Sequence, residues 1–173
     1  MPADPVTTAD APRKRITTPD GTVAELIETV PTPAPARGSS RTKARKRALD
    51  VLFEADLRGV DAGEVLRLHT AEADPPVRAF TTTVVDGVLA RRREIDELIA
   101  GCLVADWTLE RMPRVDRTLA RIAVWELLDA TTSAEVVLQQ AVQLAQELST
   151  DDSAGFLNGL LARARQRIEA SRS

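Results

Sequence analysis

The sequence Arg41-Thr-Lys-Ala-Arg-Lys-Arg-Ala-Leu-Asp-Val-Leu-Phe-Glu-Ala-Asp56 starts as a run of cations and continues as an amphipathic helix. Its apolar residues recur at spacings of three and four, which places them on one helical face: Ala44, Ala48, Val51, Leu52 and Ala55. We predict that this face packs on a core. The opposite face carries Lys43, Arg47, Asp50 and Glu54. Arg41, Arg45 and Lys46 are expected to project into solvent around the first turns.

The charge of this helix start differs from the charge of the rest of the chain. Five of residues 41–47 are basic, whereas residues 48–173 contain 14 Lys or Arg against 21 Asp or Glu, a net charge of −7. Cations at a helix N-terminus oppose the helix dipole, so the fold alone does not require them. A polyanion would favour them, because each neutralised phosphate releases counterions. The alternative is a solvated helix end or a remnant of processing.

The composition limits the chemistry that this chain is expected to perform. Its 173 residues, 43% of them hydrophobic, suffice for one compact domain and a tail. The single cysteine, Cys102, excludes an internal disulfide and a thiolate metal cluster, and its apolar neighbours predict an inert buried thiol. No apolar run is long enough to span a bilayer, and no signal peptide is recognisable. We expect a cytoplasmic protein without a metal or a cofactor.

Residues 1–40 differ from the rest in composition, since they hold seven of the ten prolines and no sustained periodicity. Such a segment buries too little apolar surface to offset its chain entropy. We predict a disordered extension over 1–40, in which residues 22–30 are capable of a brief helix, followed by a folded domain over 41–170.

Helical periodicity continues through the remainder of the chain. It predicts further helices over 61–69, 76–104, 107–113, 113–128, 133–148 and 153–168, with a bend at residues 91–93. In residues 115–128 the apolar positions occupy nearly every side, which indicates the central helix of a bundle. No segment shows the alternation of a β-strand. The expected fold is all-α, with about seven helices in two small helical subdomains.

Four features allow both a structural and a chemical interpretation. Residues 91–93 are arginines close to acidic residues, which indicates a self-paired surface segment. Glu126 lies on an apolar line and is more simply explained by a paired arginine than by catalysis. His69 has no second histidine with which to form a metal site. Phe156 lies off the apolar stripe of its helix, so its ring could stack on an unpaired base or close the rim of the core.

Three passages, in this order, resemble the NusB family of transcription antitermination factors. The first is Ala48-Leu-Asp-Val-Leu-Phe-Glu54, at the end of the basic helix. The second combines Val115-Asp-Arg117, Leu119-Ala-Arg-Ile122 and Trp125-Glu-Leu127. The third and most specific is Ala141-Val-Gln-Leu-Ala145, Leu148-Ser-Thr-Asp-Asp-Ser153 and Gly155-Phe-Leu-Asn-Gly-Leu160. The resemblance covers the chain from about Arg41 to Ile168 and leaves the extension outside.

The resemblance implies a non-catalytic, all-helical adaptor that acts on the transcription elongation complex. Members bind the single-stranded boxA element of ribosomal RNA transcripts together with a small-subunit ribosomal protein called NusE, and some pair as homodimers that cover the RNA face. The residues that match the RNA-binding positions are Arg41, Lys43, Arg45, Lys46, Phe53, Asp152 and Phe156. Asp116 matches an acidic position on the face that receives NusE.

Two other classes of function stay open at this point. A NusB-like helical domain also precedes the catalytic part of some RNA-modifying methyltransferases, although this chain lacks a glycine-rich cofactor loop and a second cysteine. A helical DNA-binding regulator would also carry a basic helix, and it would prefer duplex DNA over single-stranded RNA.

Overall fold

The computed structural model describes residues 14–17, 23–26, 39–104 and 106–172. The chain divides into two compact units, Met1–Arg37 and Gly38–Ser173. In the first unit, β1 (Lys14–Thr17) pairs antiparallel with β2 (Val23–Leu26), and Lys14 lies opposite Leu26. The expectation that no segment is β was therefore wrong, and residues 23–26 form a strand, not a helical turn. Ser39 and Ser40, which we also placed in the disordered extension, are ordered at the start of α1. The remaining residues for which we predicted disorder lie outside the described ranges.

The described part of the second unit contains seven α-helices. They are α1 (Ser40–Arg58), α2 (Ala62–Glu72), α3 (Ala79–Ala90), α4 (Arg92–Cys102), α5 (Arg114–Asp129), α6 (Ala134–Leu148) and α7 (Ser153–Arg172). A 3₁₀ turn, Leu109–Arg111, stands where a connector helix was predicted. The predicted helix over 76–104 is two helices, because the backbone leaves helical geometry at Arg91. In the described ranges, no helix has the length and apolar character that crossing a membrane requires.

Local signals explain where the first two helices begin and end. The side chain of Ser39 accepts a hydrogen bond from the Thr42 amide at 3.2 Å, so Ser39 is the N-cap of α1. Gly59 ends α1 in the left-handed region, at φ 65°. The Asp61 side chain accepts a hydrogen bond from the Glu64 amide at 2.9 Å and caps α2.

Helix α5 forms the centre of the helical unit. All residues from 118 to 127 are buried, which confirms the prediction of a central helix. Helices α1, α2 and α3 pack on one another, and α1 and α3 also contact α5. On the other side, α6 and α7 pack on each other and on α5, and α4 packs on α5 and α7. The two predicted helical subdomains are thus present and share α5.

Ion pairs tie the two subdomains together across α5. Arg117 donates to the Asp56 carboxylate at 2.7 Å, and Arg121 donates to Asp96 at 2.7 Å. Desolvation raises the pKa of the Asp56 carboxyl, but the hydrogen bond and charge of Arg117, with the charge of Arg121, outweigh it and lower the pKa below its ordinary value. These contacts fix α1 and α4 against α5.

Candidate nucleic-acid interface

The first two turns of α1 present three of the predicted RNA contacts to solvent. Arg41, Lys43 and Lys46 are exposed, while Thr42 and Ala44 face inward. Thr42 donates a hydrogen bond to the Gln140 side chain of α6, which anchors the helix start. The exposed cations therefore stand on a fixed scaffold.

Arg45 is not part of this exposed set. Its side chain is 3% exposed, and its guanidinium binds the Glu126 carboxylate through two hydrogen bonds of 2.8 and 2.7 Å. The prediction that Arg45 projects into solvent was wrong, because its charge is used inside the bundle, and this burial disfavours the predicted contact with RNA. The same geometry confirms that Glu126 is satisfied by an arginine. This pair positions the cationic end of α1 on α5.

Arg41 lies at the same end of the bundle as this pair. Its guanidinium lies 4.9 Å from the centroid of the Phe80 ring and donates to the Thr132 hydroxyl at 3.2 Å. The Arg45 guanidinium lies 5.4 Å from the same ring. Cation–π contact restricts Arg41 without neutralising its charge, so it is preorganised for an anion.

Lys46 connects the basic turns with the end of α6. Its ammonium lies 3.5 Å from Glu147, and because both side chains are more than 40% exposed, this pair contributes little stability. Phe53 is half-buried and lies seven residues further along α1, on the same side as Lys46. Asp152 is exposed in the turn after α6, five residues beyond Glu147. Phe53 therefore lies on the Lys46 side of α1, and Asp152 follows the end of α6 that Lys46 contacts.

The Phe156 ring lies at the other end of α5. It is half-buried against the core and meets Trp107 edge to face, with centroids 6.5 Å apart. Trp107 comes before the first residue of α5 in the chain. Arg41 contacts Thr132, which follows the last residue of α5, so the two side chains mark opposite ends of that helix. A 16-residue helix is about 24 Å long, so the α1 cations and Phe156 do not form one compact pocket. The partly exposed ring packs at the rim of the core.

Asp116 does not face outward. It is 2% exposed, and its carboxylate accepts hydrogen bonds from Ser149 at 2.5 Å and from Ser153 at 2.8 Å. This burial disfavours the predicted contact of Asp116 with a protein partner. Instead, Asp116 fixes the turn between α6 and α7, which carries the exposed Asp151 and Asp152.

Cys102, His69 and the arginines at residues 91–93 take part in structural contacts or are buried. Burial raises the pKa of the Cys102 thiol above its ordinary value, which disfavours the reactive thiolate. The His69 imidazole contacts Glu54 at 2.7 Å, and this hydrogen bond, with that of Arg58, lowers the pKa of Glu54. The three arginines at residues 91–93 pair with Glu94, Asp96 and Glu97, as predicted.

Sequence reasoning assigned no role to a groove beside α1. The segment between α2 and α3 faces Lys43 and Arg47 and contributes Arg78, which the sequence shows only as a lone cation after two prolines. Desolvation raises the pKa of Asp50 at the groove wall, and the charges of Arg47 and Lys46 oppose that rise. No sequence signal places Arg78 near α1.

Comparisons with known proteins agree with this architecture. The family model described as the NusB family matches residues 42–166. The transcription antitermination protein NusB of Acidothermus cellulolyticus is 57% identical over 127 residues, which are 73% of this chain and 87% of that protein. The NusB protein of Kineococcus radiotolerans is 52% identical over 126 residues, 72% of this chain and 92% of its own length.

Solved structures give the same result. NusB of T. maritima superimposes with a TM-score of 0.66 at 27% identity, over 73% of this chain and 90% of its own. A structure of the antitermination factors NusB and NusE in complex with dsRNA gives a TM-score of 0.65 at 27% identity, over 73% of this chain and 96% of the matched chain. The sequence passages, the helical architecture and these matches together show that the chain belongs to the NusB family.

Proposed function

We propose that this protein is a transcription antitermination factor that binds boxA-type RNA of ribosomal RNA transcripts together with NusE. The observation that carries the proposal is the set of exposed cations on the first turns of α1, Arg41, Lys43 and Lys46, on an otherwise acidic domain. Membership of the NusB family and the likeness to a NusB–NusE complex with RNA support the same function. The protein acts by binding, without catalysis.

Phosphate contacts supply most of the affinity in this proposal. The α1 cations hold the RNA backbone, and Arg45 acts indirectly by fixing the helix through Glu126. Phe53 and Asp152 contact the RNA further along the same side. An RNA that continues past the turn between α6 and α7 reaches the exposed edge of Phe156.

The protein partner in this proposal is NusE, a basic ribosomal protein attracted by the acidic body of the domain. Since Asp116 is buried, exposed acidic residues bind NusE in this proposal. Asp116 contributes indirectly, because it holds in place the turn that carries Asp151 and Asp152. The assembled complex acts on the transcription elongation complex in the cytoplasm. A homodimer that covers α1 would compete with RNA.

Fluorescence anisotropy with a labelled single-stranded boxA RNA, with and without NusE, tests the proposal. The variant Arg41→Gln/Lys43→Gln/Lys46→Gln should bind at least tenfold more weakly. The loss of three phosphate contacts should reduce the salt slope, d log K/d log [salt], by about 2. Arg93→Gln is the control, because Arg93 is 92% exposed on α4. Equal affinity of the triple variant and wild type, or preference for duplex DNA over the RNA, would contradict the proposal.

A further inference from the structure

A basic groove runs beside α1, on the side that faces the connection between α2 and α3. Its volume is about 340 Å³, and it is lined by four cations, Lys43, Lys46, Arg47 and Arg78, and by two carboxylates, Asp50 and Asp74. Four positive and two negative groups leave a net charge of +2 within the groove. The groove therefore attracts anions, although the domain as a whole is acidic.

In the part of the helical unit that the structure describes, three of these cations form no close ion pair, and Arg47 acts on the nearby Asp50 through its charge alone. Within residues 39–104 and 106–172, no carboxylate lies within 4.0 Å of the charged nitrogens of Lys43, Arg47 or Arg78. Arg78 donates one hydrogen bond to the Ser40 hydroxyl at 3.3 Å, through Nε, which leaves the outer edge of its guanidinium for another acceptor. Lys43 and Arg78 are exposed, and Arg47 is half-buried.

The walls of the groove are held in place before any ligand binds. The buried Thr81 hydroxyl donates to the Ala44 carbonyl at 3.1 Å and fixes α3 against α1. Pro75 and Pro76 restrict the backbone of the opposite wall, because their φ angles are locked by the rings. A preorganised groove loses little conformational entropy when an anion enters.

We infer that this groove is a second path for RNA phosphates and that Arg78, which lies outside α1, contacts the RNA backbone. The inference rests on the proposed function and extends it. Lys43 and Lys46 belong both to the exposed end of α1 and to the groove, so an RNA held by α1 passes directly into it. A guanidinium can bind two phosphate oxygens at once. Contacts to phosphates do not depend on the base sequence, so the groove needs no side chain that recognises a base. This continuity favours RNA over an acidic protein.

The inference predicts loss of affinity without loss of sequence preference. Arg47→Gln/Arg78→Gln in the full chain should weaken binding of a boxA RNA several-fold and weaken a scrambled RNA of equal length by the same factor. Two lost phosphate contacts to a single strand should reduce the salt slope by about 1.4. Arg67→Gln/Arg93→Gln removes the same charge from exposed positions on α2 and α4 and should leave affinity and slope near wild type. Circular dichroism checks that helical content is equal.

The outcomes separate this inference from the proposed function. If the groove variant behaves as its charge-matched control while Arg41→Gln/Lys43→Gln/Lys46→Gln still weakens binding, the inference is overturned and the proposed function stands. If wild type binds no RNA, both are overturned. A polyglutamate peptide that binds wild type but not the groove variant, with RNA affinity unchanged, would assign the groove to an acidic protein and also overturn the inference.

Discussion

Removing the Glu126 charge should strongly destabilise the domain. Glu126 and Arg45 are each 3% exposed and share two hydrogen bonds of 2.7 and 2.8 Å. The apolar side chains of Ala123, Val137 and Leu144 surround the pair. Glu126→Gln leaves the guanidinium buried without a counterion, which costs about 3–5 kcal/mol. That is a large fraction of the total of about 5–15 kcal/mol that stabilises a typical domain.

A double-mutant cycle isolates the pair. Arg45→Met/Glu126→Leu removes both charges and keeps apolar volume, so its free energy of unfolding should lie within about 2 kcal/mol of wild type and well above that of either single variant. Urea denaturation followed by circular dichroism gives the four values. Because Arg45 is buried, and because Met and Leu should keep α1 packed on α5 in place of the ion pair, the double variant should also retain boxA RNA affinity within about twofold.

Two results would refute this reasoning. A cost below about 1 kcal/mol for Glu126→Gln would mean that the pair behaves as an exposed ion pair. A folded double variant that loses RNA binding as severely as Arg41→Gln/Lys43→Gln/Lys46→Gln would mean that Arg45 reaches the RNA after all.

Two further predictions concern packing and pH. Gly87→Ala places a methyl group against the buried indole of Trp125 and should lower the free energy of unfolding by about 1–3 kcal/mol. At Gly155 an added methyl group meets nothing within 4 Å, so Gly155→Ala should raise the free energy of unfolding by about 0.5–1 kcal/mol. Urea titration measures both values. Although desolvation opposes it, the contact with Arg117 lowers the pKa of Asp56 in the folded protein. The ionised Asp56 therefore stabilises the fold fully above the ordinary aspartate pKa of about 4, and this contribution is lost as pH falls through the lower, folded-state pKa. Asp56→Asn should therefore be less stable than wild type at pH 7, and the difference should shrink in unfolding titrations below about pH 4; a constant difference would contradict the assignment.

Periodicity was sufficient to predict the helices that bury apolar residues. Ala48, Val51 and Leu52 are buried on α1 as their spacing indicated, and the dense apolar pattern of α5 identified the central helix. Gly59 and Asp61, at the end of α1 and the start of α2, are also residue types that are typical of helix caps. These signals are local, because they depend on residues within one or two helical turns.

The errors at the site arise from contacts between distant residues. Arg45 is buried because Glu126, 81 positions away, supplies its counterion, and helical phase alone cannot show that partner. Asp116 is buried because Ser149 and Ser153 donate to it across the bundle. Arg78 was missed for the same reason, since only the packing of α3 on α1 brings it to the basic turns.

The most direct test of the central claim is amide chemical-shift mapping of the full-length protein during titration with single-stranded boxA RNA. We predict that the largest changes occur in residues 41–47 and 147–152, and that they diminish as salt rises. Changes confined to α4 and the C-terminal half of α7, with residues 41–47 unaffected, would contradict the claim that the exposed cations of α1 hold the transcript.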